Sequence, residues 1–125
     1  MEFIAAKTTL TLRFNVRDRN ANFPRLLTAD RVEAVTCSVI LLTDIPHIRC
    51  EGQPVDGYDK MSLDPPDVFG HTQRISGGDV GNFEHTFPAG NDSPFQRIGR
   101  DYLVRYEITP VDGEPAIYPF RVQTY

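Results

Sequence analysis

The stretch Asp101-Tyr-Leu-Val-Arg-Tyr-Glu-Ile-Thr109 decides the fold class, because apolar and polar residues alternate along it. Its apolar face carries four residues: Tyr102, Val104, Tyr106 and Ile108. A period of two is typical of a half-buried β-strand. Asp112-Gly113 then supplies the positive φ of a tight hairpin turn, and a second alternating run returns from Ala116 to Val122. A two-stranded hairpin is unstable alone in water, so we expect the rest of the chain to cover its apolar face.

The remainder of the 125-residue chain is a series of short apolar runs separated by turn residues. Ten prolines and nine glycines fall mostly between these runs, and no segment sustains a helical period. Besides the hairpin, strands are predicted at 8–17, 32–43, 58–63, 72–76 and 82–87, with a further one beginning near 47. The pattern predicts a single domain over 1–125. Its predicted fold is an all-β, antiparallel Ig-like β-sandwich of about seven to eight strands.

Three local patterns refine this fold. The spacing Gly99-Arg-Asp-Tyr-Leu-Val104 is that of a tyrosine corner, in which the tyrosine hydroxyl bonds a backbone group upstream. The run Val32–Thr43 has one apolar face throughout, and its second face becomes apolar through Ile40 and Leu42. It is therefore predicted to be a central strand that is covered on both sides in its second half. The segment Gly52–Gly70 combines prolines and glycines with apolar anchors, which predicts an ordered loop, at least against a partner.

Cys37 and Cys50 are the two cysteines of the chain. Cys37 falls on the alternating face of a predicted strand, where it behaves as a small buried hydrophobe. A Cys37–Cys50 bridge between neighbouring strands is the alternative, and both interpretations stay open. Two cysteines without a secretory signal do not form a disulfide framework.

The distribution of charge is asymmetric along the chain. Residues 1–31 carry six basic and three acidic side chains, whereas the other 94 residues carry seven basic and fourteen acidic ones. Eleven of the thirteen basic residues are arginine, which is favoured at protein interfaces. One interpretation is a solvated basic edge, and the other is an N-terminal strand and loop that face an acidic partner or a second copy. Residues 1–7 likewise fit either a docking arm or a frayed terminus.

The sequence contains no cluster of residues that favours catalysis or cofactor binding. His47, His71 and His85 are scattered, and the glycine-rich Gly77–Gly81 is not followed by a predicted helix that could bind phosphate. Asp56, Asp59, Asp64 and Asp67 do not have EF-hand spacing. We therefore expect no enzyme activity, no metal and no cofactor. The acidic total charge argues against nucleic-acid binding.

No stretch approaches the roughly 20 apolar residues of a transmembrane helix. The first residues also lack the apolar core of a signal peptide. We therefore expect no membrane partner, and we expect that the protein is synthesised in a cytoplasm.

The C-terminal half resembles small Ig-like structural proteins of tailed-bacteriophage virions. The matching motifs are Ile75-Ser-Gly-Gly-Asp79, the strand Asp101–Thr109, the turn Asp112-Gly113 and Pro119-Phe-Arg-Val122. The chain departs from that family by an insertion at about 82–98 and by the lack of a tryptophan in an early strand.

This resemblance implies a non-enzymatic virion subunit that is made in the host cytoplasm. Its most direct form is a capsid decoration or cement subunit that binds the major capsid protein and possible further copies of itself. A collar or tail accessory protein and a carbohydrate- or receptor-binding module are the alternatives. The candidate partner-binding residues are Phe3, Ile4, Arg17, Arg19, Arg25, Tyr58, Met61 and Phe69.

Overall fold

A computed structural model describes residues 2–18, 25–42, 52–74 and 80–125. Its strands are, in chain order, β1 (Glu2–Ile4), β2 (Leu10–Phe14), β3 (Arg17–Asp18), β4 (Arg25–Leu26), β5 (Val32–Leu42), β6 (Gly52–Pro54), β7 (Met61–Leu63), β8 (Phe69–Arg74), β9 (Val80–Phe87), β10 (Asp101–Pro110) and β11 (Ala116–Thr124). One helical turn, α1 (Pro65–Val68), precedes β8, and 3₁₀ turns lie at Ala29–Arg31 and Gly90–Asp92. The strand predicted to begin near 47 lies outside the described residues.

The strands form two main sheets. Sheet I has the order β1-β11-β10-β5-β6, with β7 also paired to β5, and sheet II has the order β2-β9-β8. The strands β3 and β4 pair with each other. The last two long strands lie beside β5, as strands G and F lie beside C in an Ig domain, and β2-β9-β8 correspond to B-E-D. The predicted all-β sandwich is confirmed.

The sheets differ from the prediction in two details. Strand β1 pairs in parallel with β11, so sheet I is mixed instead of wholly antiparallel. The strands predicted at 8–17 and 58–63 are shorter, at 10–14 and 61–63, whereas β8 starts earlier than predicted, at Phe69. Alternation marks where a strand lies in sequence, but the position of its backbone partners decides where pairing begins and ends.

The core lies between the inner faces of the two sheets and is rich in aromatic rings. Phe83 of β9 packs against Phe14, Phe69 and Tyr106 at ring-centroid distances of 4.4, 5.3 and 4.9 Å. Phe69, Phe83 and Tyr106 are each at most 1% exposed. Such ring pairs contribute about 0.5–1.5 kcal/mol each beyond the area that they bury. Phe83 is therefore the ring through which β2, β8 and β10 meet.

Two polar side chains fix the connections around this core. The hydroxyl of Tyr102 accepts a hydrogen bond of 3.0 Å from the backbone N–H of Arg97, which confirms the predicted tyrosine corner. The side-chain amide of Asn82 donates to the carbonyls of Val16 and Leu27 at 2.8 and 2.7 Å. Its oxygen accepts from the Val16 N–H at 2.7 Å. These bonds hold the β3–β4 region against β9.

The described part of the predicted loop Gly52–Gly70 is ordered against its own chain. It contains β6, β7 and α1, and β8 begins before it ends. The N–H of Val39 donates to the carbonyl of Tyr58 at 2.9 Å, and the N–H of Val55 donates to the carbonyl of Val39 at 3.0 Å. These bonds, with the apolar anchors, supply the order that a partner was expected to supply.

Candidate interaction surface

The predicted docking arm is built into the fold of its own chain. Phe3 and Ile4 lie in β1, beside the C-terminal strand β11. The backbone N–H groups of Ala6 and Lys7 continue this attachment with hydrogen bonds of 3.2 and 2.8 Å to carbonyls of the same chain. Ile4 packs against the core, whereas Phe3 is 62% exposed. Phe3 is therefore the accessible apolar side chain of this segment, and its contact with a partner stays a prediction.

The predicted basic surface is described in part. The pairing of β3 with β4 places the backbones of Arg17 and Arg25 on neighbouring strands. The side chain of Arg17 is exposed. Arg19 lies outside the described residues. A role of these three arginines in binding an acidic partner stays a prediction.

The other predicted binding residues differ in their access to solvent. The Tyr58 hydroxyl donates a 2.8 Å hydrogen bond to the carbonyl of Asp92, and Tyr58 and Met61 are both half-buried against the core. Phe69 is 1% exposed and packs edge-on against Phe83. Phe69 is thus a core residue, and a partner could contact only the accessible parts of Tyr58 and Met61.

An apolar patch lies on the outer face of sheet I. Leu103 of β10 is directly opposite Ile40 of β5, and Leu42 follows Ile40 on the same face. All three side chains are half-buried, and each keeps a minor part of its surface accessible. We call these three residues the outer patch. The sequence indicated it through the second apolar face of Val32–Thr43, which was predicted to be covered, and the structure covers that face in part.

Charged residues border the outer patch on β10 and β11. Arg121 lies opposite Leu103 in the pairing of these strands, and its guanidinium is 3.0 Å from the carboxylate of Asp101. Arg105, two residues beyond Leu103, is exposed. An apolar centre with a charged rim is the usual composition of a protein-binding surface.

A cluster of titratable side chains lies in the core. The hydroxyl of Tyr106 is 2.7 Å from Nδ1 of His85, across the two sheets, and it also hydrogen-bonds the thiol of Cys37. Burial lowers the pKa of His85 to about 4 and raises the pKa of Tyr106 well above its usual range. Both side chains are therefore neutral at pH 7. The Tyr106 hydroxyl has a single proton, so it donates to one of these two neighbours and accepts from the other.

This cluster satisfies polar atoms within the core and holds its thiol inert. Cys37 is 0% exposed and free, which confirms its interpretation as a small buried hydrophobe. Cys50 lies outside the described residues. Burial raises the pKa of Cys37 to about 12, against the smaller opposing effect of its hydrogen bond with Tyr106. A protonated buried thiol is a poor nucleophile, because the thiolate is the reactive form.

A cavity of about 290 Å³ opens between the β6 region and the segment that precedes β10. Its floor includes Leu41 and Tyr102, and its polar lining consists of Gln53, Asp56, Gln96 and Arg97. The Gln96 amide donates to the carbonyls of Gly90 and Ser93. The volume of the cavity is near the lower limit of small-molecule sites, which measure roughly 300–1,000 Å³.

The ranges that the structure describes also bear on metal binding and on membrane insertion. There, no group of three or more His, Cys, Asp or Glu side chains could hold a metal ion. No helix in the same ranges is long and apolar enough to cross a membrane.

Comparison with known proteins gave no match to a protein-family model, a curated protein or a solved structure. The resemblance of the C-terminal half to phage virion proteins therefore stays a hypothesis that rests on motifs. The surfaces described above are the independent basis for a functional assignment.

Proposed function

We propose that this chain is a non-enzymatic structural subunit of a tailed-bacteriophage virion. In this role it decorates the capsid by binding the major capsid protein, after synthesis in the host cytoplasm. The outer patch is the surface that makes the contact. A decoration subunit works through such surfaces and needs no catalytic group.

The observation that carries this proposal is the partly accessible outer patch on the larger sheet. Leu103 lies on the central strand β10, and Ile40 and Leu42 lie on β5, next to the short edge strand β6. Covering the roughly 100–150 Å² that three such side chains leave exposed would contribute about 2–4 kcal/mol at 25 cal/mol per Å². A subunit that contacts several neighbouring capsid subunits at once is held more firmly than one contact alone would hold it.

Two further features support a protein partner. Residues 1–31 carry a net positive charge, and the rest of the chain carries a net negative one. Neighbouring subunits can therefore meet through surfaces of opposite charge. The motifs of the C-terminal half supply the phage context of the proposal.

The test is co-expression of the chain with the major capsid protein of the genome that encodes it, followed by gradient sedimentation. We expect the chain to sediment with the assembled shells. Leu103→Glu places a charge in the outer patch and should remove most of the chain from the shell fractions. Thr109→Glu is the matched control, because it lies on the same face of β10 about 20 Å away.

Circular dichroism of both variants establishes that they fold. If the unsubstituted chain stays at the top of the gradient, decoration of this shell is wrong. If the two variants bind the shells equally, the outer patch is not the contact.

A carbohydrate- or receptor-binding module is the second candidate, and the 290 Å³ cavity favours it. Its carboxylate, guanidinium and amide groups are the kinds of side chain that bind hydroxyl groups. A glycan array with the purified chain tests it, with Arg97→Ala as the variant expected to lose any binding found.

A further inference from the structure

Sheet II ends one strand earlier than sheet I on the same side of the sandwich. Strand β2 pairs with β9, and the described residues supply no backbone hydrogen bond to its other side. Sheet I continues on that side through β11 to β1. Strand β2 lies over β11, because the ring of Phe14 is 5.4 Å from Tyr118 and 4.7 Å from Phe120. The position on the other side of β2 is therefore without a strand in the described part of the chain.

Side chains beneath this position are less buried than their neighbours. Tyr118 and Phe120 lie on the inner face of sheet I, directly opposite Tyr106 and Val104 of β10. Tyr106 and Val104 are 0% exposed, whereas Tyr118 and Phe120 are half-buried. The difference arises because β9 and β2 cover β10 but no described strand covers the outer half of β11. An apolar floor and an unpaired strand edge thus lie side by side.

A second feature of this region is a buried hydrogen-bond acceptor without a partner. Asn15 follows β2 directly, and its buried Oδ1 has no hydrogen-bond partner. Most buried polar atoms have a partner, so an unpaired one calls for a donor. A strand added along β2 brings backbone N–H groups to this end of the sheet.

We propose that the free edge of β2 accepts an extended segment of a partner protein as a fourth strand of sheet II. The floor of this site is formed by Phe14, Tyr118, Phe120 and Ile4. Backbone hydrogen bonds to β2 give affinity, and alternate side chains of the added strand fill the space above the floor. The inward residues of the segment are therefore apolar.

The charges at this edge and the apolar floor determine which side chains the bound segment carries. On the outer face of sheet II the edge carries Arg13, which is 44% exposed and already bonds Glu84, and Lys7 is exposed just before the strand. The outward residues of the segment are therefore acidic. A single extended segment meets both requirements, because successive side chains of a strand point to opposite faces of the sheet.

This proposal names a contact for the proposed function but depends on it only for the identity of the partner. The probe is a fluorescent peptide of about nine residues in which valine alternates with glutamate, and the control peptide has the same composition in scrambled order. Fluorescence anisotropy measures binding to the full chain, and amide hydrogen exchange locates it. We expect saturable binding of the alternating peptide with slowed exchange in Leu10–Phe14.

Phe120→Lys places a charge in the floor and should weaken peptide binding about tenfold or more. Ile117→Lys is the matched control, because Ile117 is 51% exposed on the opposite face of the same strand. Phe120→Ala is a second floor variant, in case the lysine prevents folding.

Three results would overturn the assignment. They are equal binding of the two peptides, slowed exchange outside β2, and unchanged binding by a folded floor variant. Light scattering of the chain without peptide is the remaining check, because dimerisation that protects β2 would make a second copy the occupant. If the chain binds the peptide but not the phage shells, the strand site is supported and the virion role is wrong. If the chain binds the shells but not the peptide, the virion role is supported and the strand site is wrong.

Discussion

Strands β5 and β10 present two faces that are made from alternate residues of the same backbone but have different roles. On the inner face, Val39, Val104 and Tyr106 are 0% exposed. On the outer face, Ile40 and Leu103 are only half-buried and lie beside charged residues. The comparison teaches that an apolar residue in a central strand does not by itself indicate the core. The extent to which its own chain covers it separates a residue that stabilises the fold from one that is available to a partner.

On the inner face, buried polar side chains are hydrogen-bonded to each other. Tyr106 and His85 are buried together, and each supplies the hydrogen-bond partner that the other needs. An unpaired polar group in the same place would cost about 1–3 kcal/mol. On the outer face, in contrast, water can satisfy any polar group, so substitutions there act on binding more than on folding.

The largest expected contrast between the two faces comes from removing an apolar side chain from each. Phe83→Ala empties the space between β2, β8 and β10 and should lower the free energy of unfolding by about 3–5 kcal/mol. Leu103→Ala removes a half-buried side chain and should cost about 1 kcal/mol. Urea unfolding, followed by circular dichroism, measures both values. Equal losses would mean that the outer patch is part of the stabilising core.

A smaller contrast concerns the response of the inner face to pH. Burial lowers the pKa of His85 from its ordinary value of 6.5 to about 4, so the unfolded chain binds the proton more readily. The stabilisation is complete above pH 6.5 and is lost as the pH falls towards 4. The full shift corresponds to about 3 kcal/mol, and the partial exposure of the ring reduces this to about 1–2 kcal/mol.

The variant that isolates this effect is His85→Gln, which cannot gain a charge and can still hydrogen-bond Tyr106. Because carboxyl groups titrate over part of the same range, the informative quantity is the difference between the two unfolding profiles. We expect the native chain to lose more stability than the variant between pH 6.5 and 4. Parallel profiles would show that the imidazole is not held in its neutral form.

Much of the fold could be predicted because alternation follows directly from the geometry of a strand. The apolar face of Tyr102 to Ile108 is wholly buried, and the tyrosine corner forms at the predicted residue. The parallel pairing of β1 could not be predicted, because three residues carry no pattern and their partner, β11, lies at the opposite end of the chain. Likewise, Asn82 is polar in sequence, and its buried role appears only when Val16 and Leu27 are placed beside it.

The candidate surfaces were harder to predict than the fold. Phe69 is aromatic and lies in a segment rich in turns, so exposure was a reasonable expectation, but its strand begins at that residue and turns the ring into the core. Leu103 is the opposite case, because it lies between two core residues in sequence but its side chain is on the outer face of the sheet. Hydrophobicity identifies neither case, because burial depends on which sheet lies across from the side chain.

The smallest expected effect on the free energy of unfolding comes from a substitution on the outer face. Arg121 and Asp101 form an ion pair at 3.0 Å, but the Arg121 side chain is 51% exposed. Solvent screening leaves such pairs worth about 0–1 kcal/mol, so Arg121→Ala should change the free energy of unfolding by less than about 0.5 kcal/mol. The same variant should alter the salt dependence of shell binding, because rim charges act mainly on the rate of association. A large loss of stability without any change in shell binding would reverse the roles assigned to the two faces.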